Sequence, residues 1–196
     1  MDHLPALTAD CREIGDWLVA QDARTVLVDG RSGSGKSSIS ARLQQAWQHR
    51  LNDTRVRLVH LDDIYPGWSG LQRGSEHVLE QLLQPRCRGR DGRWRAWDWE
   101  RDAPGEWHQV PADAPLILEG VGALTARSRS CADLAIWVEA PAELRRRRAL
   151  RRDADLYAPY WTHWRAQEDA FLAREQPQSA ADIIVRNMTP GEFGEG

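Results

Sequence analysis

The segment Gly30-Arg31-Ser32-Gly33-Ser34-Gly35-Lys36-Ser37 constrains this chain more than any other, because it matches G-x-x-x-x-G-K-[ST] in full. Glycines at those places let a backbone fold around an anion and turn successive N–H groups inward, and a helix that starts at the lysine adds its partial positive charge. The context has the order such a loop needs. Thr25-Val26-Leu27-Val28 is a β-branched apolar run that reads as a buried strand, and Ile39 to Gln48 carries Ile39, Leu43, Ala46 and Trp47 on one helical side. Lys36 is the only lysine among 26 basic residues, and it stands where a compact ammonium on a flexible stem differs from a planar guanidinium fork. Nucleotide phosphates are the expected ligand, with ATP and Mg2+ as cofactors. Gly30, Ser32, Gly33, Ser34, Gly35, Lys36, Ser37 and Ser38 would line the loop, Lys36 would reach the β- and γ-phosphates, and the Ser37 hydroxyl would hold the metal.

The remaining pattern gives the class. A helical stretch over 8–21 places Ile14, Trp17 and Leu18 on one side, and Gly15 costs it about 1 kcal/mol. Further buried strands are expected at Val56 to Leu61, Leu116-Ile117-Leu118, Leu134 to Val138 and Ile183-Ile184-Val185. Continuously apolar strands that alternate with helices predict an α/β chain with a mainly parallel five-stranded sheet covered on both faces. Between 86 and 110 the pattern changes to Arg, Gly and Trp with turn signals at Asp91-Gly92 and Pro104-Gly105, which reads as an inserted lobe or hairpin. The domain expectation is one unit over 1–186 with that insertion, followed by a flexible tail at 187–196.

Composition excludes some classes. A net charge of -3 gives no overall basic field of the kind a general nucleic-acid binder carries. No apolar run approaches the ~18 residues of a membrane span, and Met1 to Asp10 lacks the pattern of a secretory signal, so the expected location is cytoplasmic. The 3 cysteines fit neither a disulfide framework nor paired zinc ligands. The histidines show no metal-ligand spacing.

In a sheet of this kind ligands bind beyond the carboxyl ends of the strands. Asp62-Asp63 follows the second strand and Glu119 closes the third. Glu119 is placed to orient Mg2+ beside the lysine loop, with Asp62 a further candidate ligand. One of the paired aspartates could accept a proton from an attacking hydroxyl. Arg145 to Arg148 with Arg151 and Arg152 put six like charges on one helix after Ala140-Pro141. Such a run repels itself unless a polyphosphate neutralises it, so Arg148 and Arg152 are expected to close over the nucleotide. Trp94, Trp97, Trp99 and Trp107, interleaved with Arg93, Arg95 and Arg101, suit an acceptor pocket, a structural lobe or a stacking surface for single-stranded nucleic acid. Tyr160, Trp161 and Trp164 with Glu168 and Phe171 read as the core stripe of a long helix.

Taken in order, the lysine loop, Asp62-Asp63-Ile64-Tyr65, Leu118-Glu119-Gly120 and Arg147-Arg148-Ala149-Leu150-Arg151-Arg152-Asp153 resemble the uridine kinase, phosphoribulokinase and pantothenate kinase group of P-loop kinases over residues 24 to 153. The resemblance implies a P-loop NTPase three-layer α/β/α sandwich and phosphoryl transfer to a hydroxyl of a small acceptor, a nucleoside first. It also implies that Asp62 is the general base and Glu119 the Mg2+-linked acid. Trp97-Asp98-Trp99 resembles the group's Tyr-Asp-Phe stretch, so Asp63, Tyr65, Trp97, Asp98 and Arg101 are expected around the acceptor. Two departures stand out: no His follows Asp98, and no Glu-Arg-Gly-Arg follows Asp153. The alternatives left open are a nucleoside monophosphate or other metabolite as acceptor, and an NTP-binding switch without small-molecule turnover. Oligomeric state is also open.

Overall fold

A computed structural model of the chain describes residues 10–152 and 158–188. Helix α1 (Cys11–Ala20) is capped by Asp10, whose carboxylate accepts the Arg12 N–H. Strand β1 (Thr25–Asp29) leads through the glycine loop into α2 (Lys36–Leu51). Gly15 has a packing reason: a Cβ there would stand 3.4 Å from the Ala46 Cβ, so its absence lets α1 lie close against α2.

Strand β2 (Arg57–His60) ends in a tight turn over Leu61–Asp63, and α3 (Leu71–Val78) continues through a wider turn at Leu79–Leu83 into α4 (Gln84–Cys87). The wide turn falls where Pro85 supplies no N–H and crowds the preceding carbonyls. Then come β3 (Gly92–Asp98), β4 (Ala103–Val110), β5 (Leu116–Glu119), α5 (Ala126–Arg129), β6 (Leu134–Glu139) and α6 (Ala142–Arg152). Helices α7 (Trp161–Glu175) and α8 (Pro177–Ala180) precede the last strand, β7 (Ile183–Arg186).

Five strands form one sheet in the order β2-β5-β1-β6-β7, and every pairing in it is parallel. Alternate residues of the central strands feed two separate cores, which makes three layers. Val26, Val28, Ile117 and Ile136 pack with Ile14, Leu18, Leu43 and Trp47 from α1 and α2. Leu27, Leu116, Leu118 and Ala135 pack with Val78, Leu82, Trp164 and Phe171 from the opposite layer. Each fully buried Leu or Ile contributes roughly 2–3 kcal/mol, so both helical layers are held chiefly by these contacts.

Strands β3 and β4 form a separate antiparallel pair, with a bulge between Arg95 and Trp97. This hairpin starts later than the expected insertion. Arg86 belongs instead to α4, is buried, and donates to the carbonyls of Pro111 and Ala114. The tail expectation also shifts. Asn187 continues the β7 ladder by donating its N–H to the Glu139 carbonyl at 2.8 Å, and residues 189–196 lie outside the described residues. No helix among the described residues is long and apolar enough to cross a membrane.

Candidate active site

The loop after β1 is shaped by its glycines and by what packs behind them. Gly33 (φ 76°) and Gly35 (φ 94°) adopt backbone conformations that L side chains rarely take. A Cβ on Gly33 would strike the Arg145 carbonyl, and one on Gly35 would strike the Asn187 side-chain amide. Helix α6 and the end of β7 therefore close directly on the loop. Helix α2 starts at Lys36 with Gly35 before it and no side-chain cap, which leaves its first N–H groups to attract an anion. Lys36 is only 6% exposed. Its charge acts on Asp29 and Glu119, and it makes no hydrogen bond or ion pair with the described residues.

Asp29, which closes β1, was not singled out from the sequence. It is fully buried, and its carboxylate accepts from Gly30 N–H at 2.6 Å, Gly122 N–H at 3.1 Å and Leu124 N–H at 2.8 Å. It thereby fastens the start of the glycine loop to the loop that follows Glu119. Burial pushes its pKa up to about 7, against the opposing pull of the three N–H groups and Lys36.

Sheet order places Glu119 between the two neighbouring strand ends. In register it faces Val28 on one side and His60 on the other. Ser37 Oγ donates to Glu119 Oε1 at 3.0 Å, and His60 Nδ1 lies 2.6 Å from the same oxygen. The bond to Glu119 raises the His60 pKa. Burial opposes ionisation of Glu119, yet the His60 bond, the Lys36 charge and the Ser37 bond together bring its pKa below the ordinary value. Glu119 is 1% exposed, and its Oε2 is buried without a hydrogen-bond partner among the described residues. An unsatisfied buried carboxylate oxygen beside a serine hydroxyl suits Mg2+, which takes few protein ligands and keeps water and phosphate oxygens for the rest.

Asp62 and Asp63 sit in the turn after β2, where both act electrostatically on His60. Trp99, not Trp97, reaches this turn: its Nε1 donates to the Asp62 carbonyl at 3.0 Å. The Trp97 Nε1 is buried with no partner among the described residues. Asp98 caps the hairpin tip by accepting the N–H groups of Glu100 and Arg101, and Arg101, 84% exposed, stands 3.6 Å from it as a solvent-facing ion pair. Tyr65 lies in the core with its hydroxyl donated to the Val121 carbonyl at 2.6 Å. That bond makes it a support for the wall, where an acceptor contact was expected.

The arginine helix meets the loop through Arg145 and Arg148. Arg148 Nη1 approaches the carbonyls of Gly33 and Ser34 at 3.4 Å, and its Nη2 donates to Asn187 Oδ1 at 3.3 Å. Asn187 in turn donates to the Ser34 carbonyl at 2.9 Å. Arg145, one turn earlier, is 9% exposed and bonds the carbonyls of Ala140 and Ser32. Its burial lowers its pKa, a cost that a nearby phosphate charge would offset. The side chain of Arg152 lies outside the described residues.

Helix α7 supplies the least expected contacts. Glu168, read from the sequence as part of a core stripe, is 1% exposed. Its Oε1 accepts the Ser32 N–H at 2.8 Å and its Oε2 accepts Arg31 Nε at 3.0 Å. Trp164 Nε1 donates to Ser32 Oγ at 3.0 Å. Ser38 is exposed on the first turn of α2.

No protein-family model matches the chain, and no curated protein does. Solved structures do. A structure described as a possible uridine kinase from Bacillus stearothermophilus superposes with a TM-score of 0.61 at 20% identity, covering 89% of this chain and 98% of that one. A candidate fructose transport system kinase from Silicibacter sp. TM1040 gives a TM-score of 0.60 at 19% identity, with coverage of 89% and 98%. A candidate P-loop kinase from Saccharomyces cerevisiae with a circular permutation gives 0.57 at 11% identity, covering 92% and 99%. At these identities the likeness is one of architecture, and the chain has the fold of the uridine kinase-like P-loop kinases.

Proposed function

We propose that the protein is an ATP- and Mg2+-dependent kinase that transfers the γ-phosphoryl group to a hydroxyl of a small acceptor, with a nucleoside of the uridine or cytidine kind as the first choice. The observation that carries this reading is the buried Lys36, without an ion pair among the described residues, next to the Ser37 that bonds Glu119, with Asp62 in the turn after the adjoining strand β2. A site meant only to hold a nucleotide has no need of a second carboxylate turn at that place.

In the proposed step the acceptor hydroxyl gives its proton to the Asp62 carboxylate as its oxygen bonds the γ-phosphorus. The bond from that phosphorus to the β–γ bridging oxygen breaks, and ADP leaves. Lys36, Arg145 and Arg148 stabilise the charge that gathers on the transferring group. Ser37 and Glu119 would hold Mg2+, which when bound neutralises phosphate charge and orients the β- and γ-oxygens. The α2 N-terminus and the loop N–H groups hold the donor in line.

The test is transfer from γ-labelled ATP, with Mg2+, to a panel of nucleosides, nucleoside monophosphates, pantothenate and sugars, with Lys36→Ala as the blank. Sugars belong in the panel because one structurally similar protein is described as a fructose transport system kinase. Label on uridine or cytidine supports the full reading. Label on another hydroxyl compound keeps the mechanism and replaces the acceptor. ATP binding without label on any compound would overturn the kinase reading in favour of a nucleotide-dependent switch.

A further inference from the structure

Helix α7 grips two loops that no sequence motif connects. On one side Glu168 holds the Ser32 N–H and the Arg31 guanidinium, Asp169 takes a second Arg31 nitrogen at 2.5 Å, and Trp164 holds the Ser32 hydroxyl. On the other side the same helix holds the chain just beyond the Asp62 turn. Gln167 Nε2 donates to the Trp68 carbonyl at 2.7 Å, and Ser69 Oγ lies 2.9 Å from His163 Nε2. Trp164 also packs edge-on to Tyr65 with ring centroids 4.8 Å apart, and to Trp68 at 6.4 Å.

The chemistry makes the Glu168 link stiff. Both oxygens of this buried carboxylate are engaged, so neither the Ser32 N–H nor the Arg31 fork can leave it without stranding a buried polar atom. Burial disfavours the Arg31 charge, but the attraction of Glu168 and Asp169 outweighs it and raises the Arg31 pKa. Movement of the first turn of the phosphate loop must then carry α7 with it. Through Trp164 and Gln167, α7 must carry the 65–71 segment.

We infer that Glu168 is a positioning residue that ties the state of the phosphate loop to the acceptor side of the site, so that nucleotide binding orders the segment after Asp62. This rests on the proposed nucleotide site but not on the identity of the acceptor. It assigns α7 a task beyond core packing, with Trp164 as the second strut.

Hydrogen–deuterium exchange on the full chain tests it, with and without Mg2+ and a non-hydrolysable ATP analogue. The wild type should show slowed exchange over 30–40 and, at a distance, over 62–72, the latter by on the order of tenfold. Glu168→Gln keeps the size and one acceptor for Ser32 but loses the charge that holds Arg31. Trp164→Phe keeps the ring packing and loses only the N–H to Ser32. Each variant should keep the nucleotide-induced slowing over 33–40, beyond the Arg31 and Ser32 contacts that it loosens, and lose most of it over 62–72, whereas a residue that only filled the core would leave the two segments responding together. Protection confined to 30–40 in the wild type would overturn the coupling. Equal distal protection in both variants would remove Glu168 and Trp164 from it. Absence of protection over 30–40 in the wild type would instead contradict the nucleotide site itself.

Discussion

On the Lys36 side of the site, Asp29, Ser37, Glu119 and Glu168 are held by bonds from buried or half-buried partners, whereas at the tip of the β3–β4 hairpin Asp98 and Arg101 pair with each other in solvent. The two regions follow opposite designs. The donor side is assembled in advance, with its costs of burial offset at Glu119 by a histidine bond and a lysine charge, and only in part at Asp29 by three N–H groups. The hairpin carries its polar groups at low cost, and Trp107 is exposed between Arg93, 4.5 Å from the ring centroid, and Arg95 at 5.9 Å. Chemistry that requires fixed electrostatics belongs to the first region, and adaptable contacts to the second.

The contrast can be broken by substitution. The largest effect should follow Lys36→Ala, which removes the buried positive charge of the prearranged region; turnover measured by label transfer should fall on the order of 10³-fold. A residual rate close to wild type would mean that the loop is not the centre of charge stabilisation. Asp29→Asn probes the same region through stability. A carboxyl whose folded pKa is about 7 against 3.8 unfolded binds its proton more tightly when folded, so its contribution is complete below pH 4 and is lost as pH rises towards and past 7. Denaturant unfolding between pH 4 and 7 should therefore show a wild-type decline of up to about 4 kcal/mol that the Asn variant lacks. Parallel pH curves for the two proteins would contradict the assignment. Trp107→Ala, in the adaptable region, should be the smallest change. A loss of about 1 kcal/mol or less in thermal stability, with ATP affinity unaltered in a titration, is expected. Weakened ATP binding would erase the distinction between the regions.

The sequence made the locally encoded parts legible. The glycine loop is contiguous, and strands of a sheet buried on both faces announce themselves as apolar runs, so all five strands were placed with ends off by a residue or two. Glu119 was legible as the acid that closes one such run. The parts that escaped depend on distant partners. Glu168 meets Ser32 from 136 positions away, and nothing in an amphipathic stripe tells a core-facing glutamate from one that caps a loop. A carboxylate inside a stripe of Trp164 and Phe171 was still a usable signal, since burial of that charge demands a partner. Asp29 carried a similar signal at the end of Val26-Leu27-Val28. His60 and Asn187 carried none, because their roles follow from strand order. The Trp-Asp-Trp stretch did not show which of its indoles would meet the Asp62 turn; with a bulge between Arg95 and Trp97, it is Trp99, just beyond β3, that makes the contact.

The central claim is that the paired acids at the strand ends perform transfer chemistry on an acceptor and do not only house a nucleotide. The most direct measurement is the single-turnover rate of label transfer from γ-labelled ATP to the acceptor found in the panel, compared between wild type and Asp62→Asn, with ATP affinity measured in parallel. The account predicts a rate lower by about 10²–10⁴-fold with ATP affinity preserved. An unaltered rate in Asp62→Asn would contradict it.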